Sequence, residues 1–412
     1  MKHKVKNMNF DDTQKEAAFR SEARTWLEAN VPAETEMAGL NEVGRAKFWQ
    51  KRKSDGGWAC ITWPKQFGGR GSTTIEQVIF DQEEAKLDTP YMGSYFSIGQ
   101  GMAAPTIMTY GNEKMMGRFL PKLASGEEIW CQLFSEPSAG SDLAALRTKA
   151  ERDGDDWIVN GQKVWTTVAQ YASWAILVTR TDPSVPKHKG MTYFVVDMKS
   201  PGIEVVPIKQ MSGGSSFNEV YLTDVRIPDS QRLGEIGAGW RVALTTLMNE
   251  RASIGGGGAS ANFKSVKELA ERLTIDDKPA IEDSTVRSKL ASWYVEEAGL
   301  KFTEYRTLSA LSRGETPGPE SSIGKLVAGV KGQDMASFAI DLLEQQGIQW
   351  DPEQDELEDA IFVQNFMSLP GLRIAGGTDE IMLNIIAERV LGLPPEPRVD
   401  KTIPFSDVPT GV

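Results

Sequence analysis

The chain has 412 residues, of which 40% are hydrophobic and 25% are charged, and its formal net charge at pH 7 is −12. This length suits two to three domains with a large core, and the acidic balance argues against nucleic acid or an anionic membrane as a partner. No apolar run approaches about 18 residues, so we expect no membrane span. The basic start over residues 1–6 lacks the apolar stretch of a secretory signal.

Cysteine and histidine usage narrows the chemistry further. The two cysteines, Cys60 and Cys131, provide no disulfide framework and indicate a reducing compartment, so we expect a cytoplasmic protein. The two histidines, His3 and His188, argue against histidine acid–base chemistry and against a multi-histidine metal site, so we expect no metal. If the protein is an enzyme, a carboxylate must act as its base or a cofactor must carry the chemistry.

The first third of the chain is patterned as helices. Residues 13–16 fit a capping box, and apolar residues then recur at helical spacing. Further helices are predicted over residues 74–87 and over most of residues 95–123. We therefore expect an N-terminal helical domain over residues 1–128.

Between residues 129 and 238 the apolar pattern changes to a period of two, with Gly and Pro at short intervals. This pattern is typical of a small β-barrel or sandwich. Two hairpin turns are predicted, one at Asp153-Gly154 and one at Asn160-Gly161. The strand candidates in this middle β domain include residues 157–159, 163–165, 174–178, 193–196, 203–206 and 220–222.

From Gly239 the pattern returns to helices, with long ones predicted over residues 287–312, 322–346 and 379–391. Four or five such helices with short connections indicate a bundle over residues 239–398, followed by a tail over 399–412. The chain is thus mainly α with a central β domain, which excludes a doubly wound nucleotide-binding fold. The first helix of the bundle carries a predicted apolar stripe of Trp240, Ala243, Leu244, Leu247 and Met248.

Residues 130–167 form the stretch around which the rest of the chain is organised. An apolar run ends in a loop rich in N–H and hydroxyl donors, and the following strand ends in Trp165, Thr166 and Thr167. Such a loop beside such a strand could hold a flat ring with polar edges. An ordinary β-meander with solvated turns accounts for the same spacing, so the residues alone leave both interpretations open.

A family resemblance favours the ring-binding interpretation. The run S-E-P-S-A-G-S-D at residues 135–142, followed by N-G-Q-K-V-W-T-T at 160–167, resembles the flavin-binding middle domain of the acyl-CoA dehydrogenases. Residues 63–69 resemble the N-terminal signature of the family, and residues 376–392 are similar to its C-terminal signature. The pieces occur in the order of the family and cover roughly residues 10–398, which makes their combination specific.

The resemblance implies an N-terminal helical domain, a middle β domain and a C-terminal four-helix bundle. It also implies the FAD-dependent α,β-dehydrogenation of an acyl-CoA thioester to the trans-2-enoyl-CoA, as in fatty-acid β-oxidation. Electrons would pass to an electron-transfer flavoprotein, and the chain would form a homo-oligomer, a dimer or tetramer, or else a hetero-oligomer. Two alternatives keep the fold: a flavin oxidase or desulfinase, and a non-catalytic subunit of a heteromeric enzyme.

The family draws its catalytic glutamate from one of two positions. The commoner position is Gly376 in this chain, which has no side chain to act as a base, although its backbone N–H would still hold the thioester oxygen. The second position is Glu250, with Arg251 beside it. The resemblance therefore implies Glu250 as the base. Four glycines follow at residues 255–258. We expect Gly255 and Gly256 to leave room for the acyl group, and a close helix–helix crossing without a ligand role accounts for the same glycines equally well.

The resemblance also assigns the flavin contacts. Ser141 is expected to contact substrate as well as cofactor, and Arg272 is expected to reach the pyrophosphate of a neighbouring subunit, because a guanidinium fork matches phosphate oxygens. For two positions a structural role is the alternative: Trp165 as a packed aromatic and Thr378 as a helix N-cap. The expected cofactor-binding residues are Leu133, Phe134, Ser135, Gly140, Ser141, Trp165, Thr167, Arg272, Gly377, Thr378 and Glu380.

Overall fold

The structure is a computed structural model that describes residues 12–254, 262–312, 321–349 and 359–409. The chain packs as two compact units. The N-terminal unit comprises residues 12–209, 215–253 and 397–409, and the C-terminal unit comprises residues 210–214 and the described residues from 254 to 396. The N-terminal unit thus contains the predicted N-terminal helical domain and most of the predicted middle β domain.

The N-terminal unit begins with helices, as the apolar spacing predicts. Thr13 forms the predicted capping box with Glu16, and Thr73 forms a second one with Glu76, so the first N–H groups of both helices have acceptors. A π-helical turn at Gly99–Ala103 precedes the fourth helix. The five helices are α1 Gln14–Asn30, α2 Glu42–Asp55, α3 Thr74–Glu84, α4 Ala104–Tyr110 and α5 Glu113–Ser125.

The β region of the same unit is one eight-stranded sheet. Its strands are β1 Trp130–Leu133, β2 Lys149–Asp153, β3 Asp156–Thr167, β4 Trp174–Arg180, β5 Met191–Asp197, β6 Ile203–Ile208, β7 Phe217–Pro228 and β8 Arg232–Leu233. Along the sheet the order is β6-β7-β3-β2-β4-β5-β8, with β1 paired in parallel to β4. The predicted hairpin at Asp153-Gly154 is confirmed, because β2 and β3 pair antiparallel across it.

The second predicted hairpin, at Asn160-Gly161, is wrong. Strand β3 runs straight through this dipeptide and pairs with β7, and the register shifts between Val159 and Gly161. A Cβ at Gly161 would lie 2.3 Å from Thr148 Oγ1, so glycine is needed here for a close approach within an irregular strand pair. Asn-Gly therefore marks a bulge in this chain and does not mark a turn.

Helix α6, Gly239–Ile254, joins the β region to the bundle. Its predicted apolar stripe is partly wrong: Val242, Ala243 and Thr246 are fully buried, whereas Leu244 and Met248 are exposed. Thr246 can be buried because its hydroxyl makes side-chain hydrogen bonds in the core. The buried face of the helix is thus rotated away from the predicted stripe.

The C-terminal unit contains the remaining helices. Its core gathers apolar residues of four helices around Trp293, whose indole N–H donates to Asp334 Oδ2 at 2.8 Å. The predicted helices are present, with shifted ends: α9 changes to a 3-10 turn at Glu344, and α11 changes to a π turn at Ile386. The helices are α7 Phe263–Arg272, α8 Ser284–Ser312, α9 Ser321–Leu343, α10 Ala360–Leu372 and α11 Asp379–Ile385. A short ladder of β9 Thr274–Ile275 and β10 Lys278–Pro279 follows α7.

The segment predicted as a tail is packed. Phe405 is buried, its N–H donates to Val185 O at 2.9 Å, and Pro404 forms a β-bridge with Pro186. These contacts join residues 397–409 to the loop between β4 and β5, within the N-terminal unit. The weak apolar patterning misled the prediction, because one aromatic side chain and a few backbone hydrogen bonds suffice to hold the segment.

Candidate active site

The donor-rich loop starts where β1 ends. Ser135 O accepts a hydrogen bond from Val164 N at 2.9 Å, which ties the loop to β3 just before Trp165. Glu136 and Ala139 exchange two backbone hydrogen bonds of 3.1 and 3.0 Å across a tight turn. The loop is therefore folded back on itself beside the end of β3.

A buried ion pair fastens the loop from beneath. Lys163 is fully buried, and its Nζ donates to Glu136 Oε1 and to Phe134 O, each at 2.9 Å. The Glu136 carboxylate also accepts from Arg147 N at 2.7 Å and from Thr148 N at 2.8 Å. Burial raises the pKa of Glu136, but Lys163 and the N–H donors outweigh it and leave the pKa below its usual value. One pair of charges thus links β3 to both ends of the loop.

This pair was missed at the sequence level, although a signal for it exists. The buried residues Trp157 and Val159 alternate along β3, and Lys163 falls on the same inward register. A lysine at an inward position of an alternating strand predicts a buried partner, because an unpaired buried charge is costly. The pattern does not say which carboxylate it is.

Trp165 has an unusual backbone and an exposed side chain. Its φ is +59°, in the left-handed region that costs a non-glycine residue roughly 1–2 kcal/mol. The indole is 60% exposed and touches Phe217 edge-on, with the ring centroids 6.0 Å apart. The indole therefore packs against one neighbouring ring but is not part of the buried core of this chain. Thr167, two residues on, is half-buried.

The remaining predicted loop residues divide by burial. Leu133 and Phe134 are buried, and Phe134 packs edge-on against Tyr193 at 5.8 Å, so their side chains support the loop from the core. Gly140 and Ser141 are exposed, and their N–H groups donate to no residue that the structure describes. Among the described residues, the loop thus presents two exposed N–H groups that have no acceptor.

Glu250 lies near the end of helix α6, and only its backbone is described. The helix is fixed one turn earlier, where Thr246 Oγ1 contacts Thr106 Oγ1 at 2.8 Å and the Tyr193 hydroxyl at 2.9 Å. Tyr193 is the residue that packs against Phe134 of the loop. The helix that carries Glu250 is therefore anchored to the core that supports the predicted flavin loop. The side chain of Arg251 lies outside the described part, as do Gly255 and Gly256.

Gly376 and Gly377, predicted from the C-terminal signature, belong to the C-terminal unit. Their φ angles are +66° and +100°, a backbone region that favours glycine, and a Cβ on Gly377 would lie 2.4 Å from Met382 Cε. Lys325 Nζ donates to Gly377 O and to Arg373 O. The position at which the family more often places its glutamate therefore has a conformation in which a side chain is strained.

Three further predicted residues lie in the same unit. Thr378 is the N-cap of α11, its Oγ1 accepting a hydrogen bond from Ile381 N at 3.2 Å. Glu380 follows in the first turn of that helix. Arg272, at the end of α7, donates to Asp359 Oδ1 at 2.7 Å and remains 43% exposed. The predicted residues are thus shared between the two units.

Three family models match almost the whole chain. The N-terminal domain of acyl-CoA dehydrogenases matches residues 13–127, the middle domain matches 131–225 and the C-terminal domain matches 237–391. The chain belongs to the acyl-CoA dehydrogenase family. Enzymes of this family are oxidoreductases that use FAD, and the predicted fold class is confirmed.

Individual relatives agree with the family assignment. The chain is 40% identical to acyl-CoA dehydrogenase FadE34 of Mycobacterium tuberculosis, over 88% of this chain but only 48% of that protein, so it spans about half of FadE34. It is 35% identical to acyl-CoA dehydrogenase IpdE1 of the same organism, over 92% of this chain and 98% of that one. A solved structure, the steroid acyl-CoA dehydrogenase Tcur3481-Tcur3483, superposes with a TM-score of 0.76 at 27% identity, covering 94% of this chain and 100% of its own.

No helix in the described ranges has both the length and the apolar character needed to cross a membrane. Within the same ranges, no cluster of three or more His, Cys, Asp or Glu side chains could hold a metal ion.

Proposed function

We propose that the protein is an FAD-dependent acyl-CoA dehydrogenase that converts an acyl-CoA thioester to the trans-2-enoyl-CoA, with Glu250 as the base. The observation that carries the proposal is the chain of contacts from α6 through Thr246 and Tyr193 to Phe134. Through these contacts, helix α6, which carries Glu250, and the donor-rich loop pack against the same residue, Tyr193. Membership of the family supplies the reaction class.

The chemistry needs a base, an oxyanion donor and a hydride acceptor. Bound FAD supplies the hydride acceptor, through its N5 atom. The Glu250 carboxylate takes the weakly acidic α-proton, and Arg251 holds that carboxylate in position. The backbone N–H of Gly376 donates to the thioester oxygen and stabilises the negative charge that develops there. Gly376 itself has no side chain, which leaves Glu250 as the base.

We assign cofactor binding to the exposed side of the loop and of β3. The N–H groups of Gly140 and Ser141, which have no acceptor among the described residues, would donate to the flavin and the substrate, and Trp165 would contact an edge of the ring. Guanidinium contacts to the pyrophosphate come from Arg272 of a neighbouring subunit. The other proposed contacts are the backbone of Leu133 and Phe134, and Ser135, Thr167, Gly377, Thr378 and Glu380.

The flavin spectrum of the purified protein tests the proposal. We expect flavin absorbance that bleaches anaerobically when an acyl-CoA is added, with the 2-enoyl-CoA as the product. Rapid re-oxidation by O₂ would point to an acyl-CoA oxidase, and cleavage of a sulfinate would point to a desulfinase. A folded protein that neither contains nor binds FAD would refute the dehydrogenase and support a non-catalytic subunit.

The proposed substrates are bulky acyl-CoAs with branched, cyclic or polycyclic acyl groups. Four consecutive glycines follow Glu250-Arg251 in the sequence, and each costs about 0.5–1 kcal/mol in a helix, so their small volume needs another justification. Room beside the reacting carbons provides one. The similarity to a steroid acyl-CoA dehydrogenase agrees with this class.

Filling the space should discriminate by substrate size. We expect Gly256→Val to lower kcat/KM for a polycyclic acyl-CoA by roughly tenfold or more, because a blocked pocket loses about 1–3 kcal/mol of transition-state binding. The kcat/KM for butyryl-CoA should stay unchanged. Gly117→Val is the matched control, because Gly117 lies in α5 with open space around it. Equal losses for both substrates, with a lower melting temperature, would assign Gly256 to helix packing.

Electron-transfer flavoprotein is the proposed electron acceptor, and fatty-acid or steroid-type lipid oxidation in the cytoplasm is the proposed setting. We also propose that the chain assembles as a dimer or tetramer, or with a related chain. Large apolar side chains stand exposed on α8: Tyr294 by 60%, Val295 by 68% and Phe302 by 57%. Such a surface is typical of an interface between subunits.

A further inference from the structure

Lys187 joins three separate parts of the N-terminal unit. Its side chain is only 3% exposed, and its Nζ contacts both oxygens of Asp142 at 2.9 and 2.7 Å. The same Nζ also pairs with Asp400. Asp142 follows Ser141 in the donor-rich loop, and Asp400 belongs to the segment 397–409. A single buried cation thus connects that segment to the loop.

Arg180 makes a second connection at the end of β4. Its guanidinium donates to Lys187 O at 2.5 Å and to Ala144 O at 2.6 Å, so it holds the backbone that carries Lys187 against the loop. The same guanidinium lies over the Phe405 ring, 3.9 Å from the centroid. Arg147, at the far end of the loop, lies over that ring at 5.3 Å. Phe405 therefore packs against two arginine side chains: Arg180, which donates to the loop backbone, and Arg147, which belongs to the loop.

We propose that the segment 397–409, acting through Lys187, is a brace that positions Ser141 for the acyl-CoA. Lys187 and Asp400 are positioning residues and make no contact with the substrate. The inference rests on the proposed function, because it takes Ser141 to bind substrate. Its physical basis is that the Asp142 carboxylate, whose side chain is 57% exposed, is held by a buried lysine that also pairs with Asp400 of the segment.

Lys187→Met tests the brace without leaving a buried charge unpaired. Both of its carboxylate partners reach solvent, and methionine fills a similar volume. We expect faster amide hydrogen exchange at residues 145–147, whose N–H groups are hydrogen-bonded. We also expect a KM for acyl-CoA raised by about tenfold, as for loss of a charge-assisted hydrogen bond, with kcat within about twofold. Lys187→Arg should restore the KM. Asp400→Asn should produce the same changes more weakly.

Matched controls are available in the same loop and segment. Lys189→Met removes an exposed lysine two residues away, and Asp407→Asn removes a carboxylate that does not pair with Lys187. Both should leave exchange and KM unchanged. Amide exchange needs no substrate, so it separates failure of the brace from failure of the proposed activity. Unchanged exchange at residues 145–147 in Lys187→Met, or a loosened loop with an unchanged KM, would overturn the inference.

Discussion

Glu250→Gln should lower the turnover of an acyl-CoA by roughly 100-fold or more while FAD stays bound. Glutamine keeps the size and polarity of the side chain but cannot accept the α-proton, and loss of a general base typically costs this much. The measurement is the rate of flavin reduction in a single turnover, which isolates the chemical step from the release of product. FAD content, read from the absorbance spectrum, should match that of the unaltered protein.

The control for this variant is Glu268→Gln, on the exposed surface of α7, where Glu268 pairs with Lys264 at 3.6 Å. Surface pairs of this kind contribute little, so its reduction rate should stay unchanged. A Glu250→Gln protein that reduces its flavin at the original rate would transfer the role of base to another carboxylate. Slow reduction together with lost FAD would show damage to the fold and would not identify a base.

Lys163→Met should destabilise the protein by about 3–5 kcal/mol, because it leaves the Glu136 carboxylate buried without its cation. Chemical denaturation followed by circular dichroism measures this loss. The same variant should bind FAD more weakly, since the pair connects β3 to both ends of the loop. Lys149→Met, at a lysine of β2 that is 54% exposed, is the matched control and should cost little.

The stability deficit of Lys163→Met should depend on pH. The pKa of Glu136 in the folded protein is lowered, despite the opposing effect of burial. A carboxylate of this kind contributes stability above its unfolded pKa of about 4.3, and that contribution is lost as the pH falls through the lower folded value. The deficit should therefore be largest near pH 7 and shrink below about pH 4. A deficit independent of pH would assign the loss to packing alone.

Local signals in the sequence predicted most of the elements. The capping box at Thr13 and the turn at Asp153-Gly154 act over three or four residues, so neighbouring side chains are enough to specify them. Asn160-Gly161 has the same local signature as a turn, yet the strand continues through it. What decides there is the pairing of β3 with β7 and the nearby Thr148, neither of which a window around Gly161 contains.

The candidate site shows the same division. The motif resemblance predicts the loop and Trp165 as flavin contacts. Because Gly376 has no side chain, the resemblance also predicts Glu250 as the base. The buried charges were missed, because Lys163 meets Glu136 across 27 residues and Lys187 meets Asp400 across 213. The inward position of Lys163 predicts a buried partner, but the sequence does not say which distant carboxylate that partner is. Such pairs become visible only when the fold brings the two segments together.

The brace also has a consequence for the order of folding. Its segment follows the whole C-terminal unit in the chain, so during synthesis the ribosome makes residues 254–396 before Asp400 can reach Lys187. Closing a loop of 213 residues costs only about 2 kcal/mol more in conformational entropy than closing one of about 20. The long separation in sequence therefore does not prevent the Lys187–Asp400 contact from forming. The N-terminal unit nevertheless cannot complete these contacts until residue 400 has been synthesised. Until then Asp142 and Lys187 lack Asp400, their third partner. A nascent chain stalled before residue 397 should therefore expose the 140–147 loop to proteases that the released protein resists.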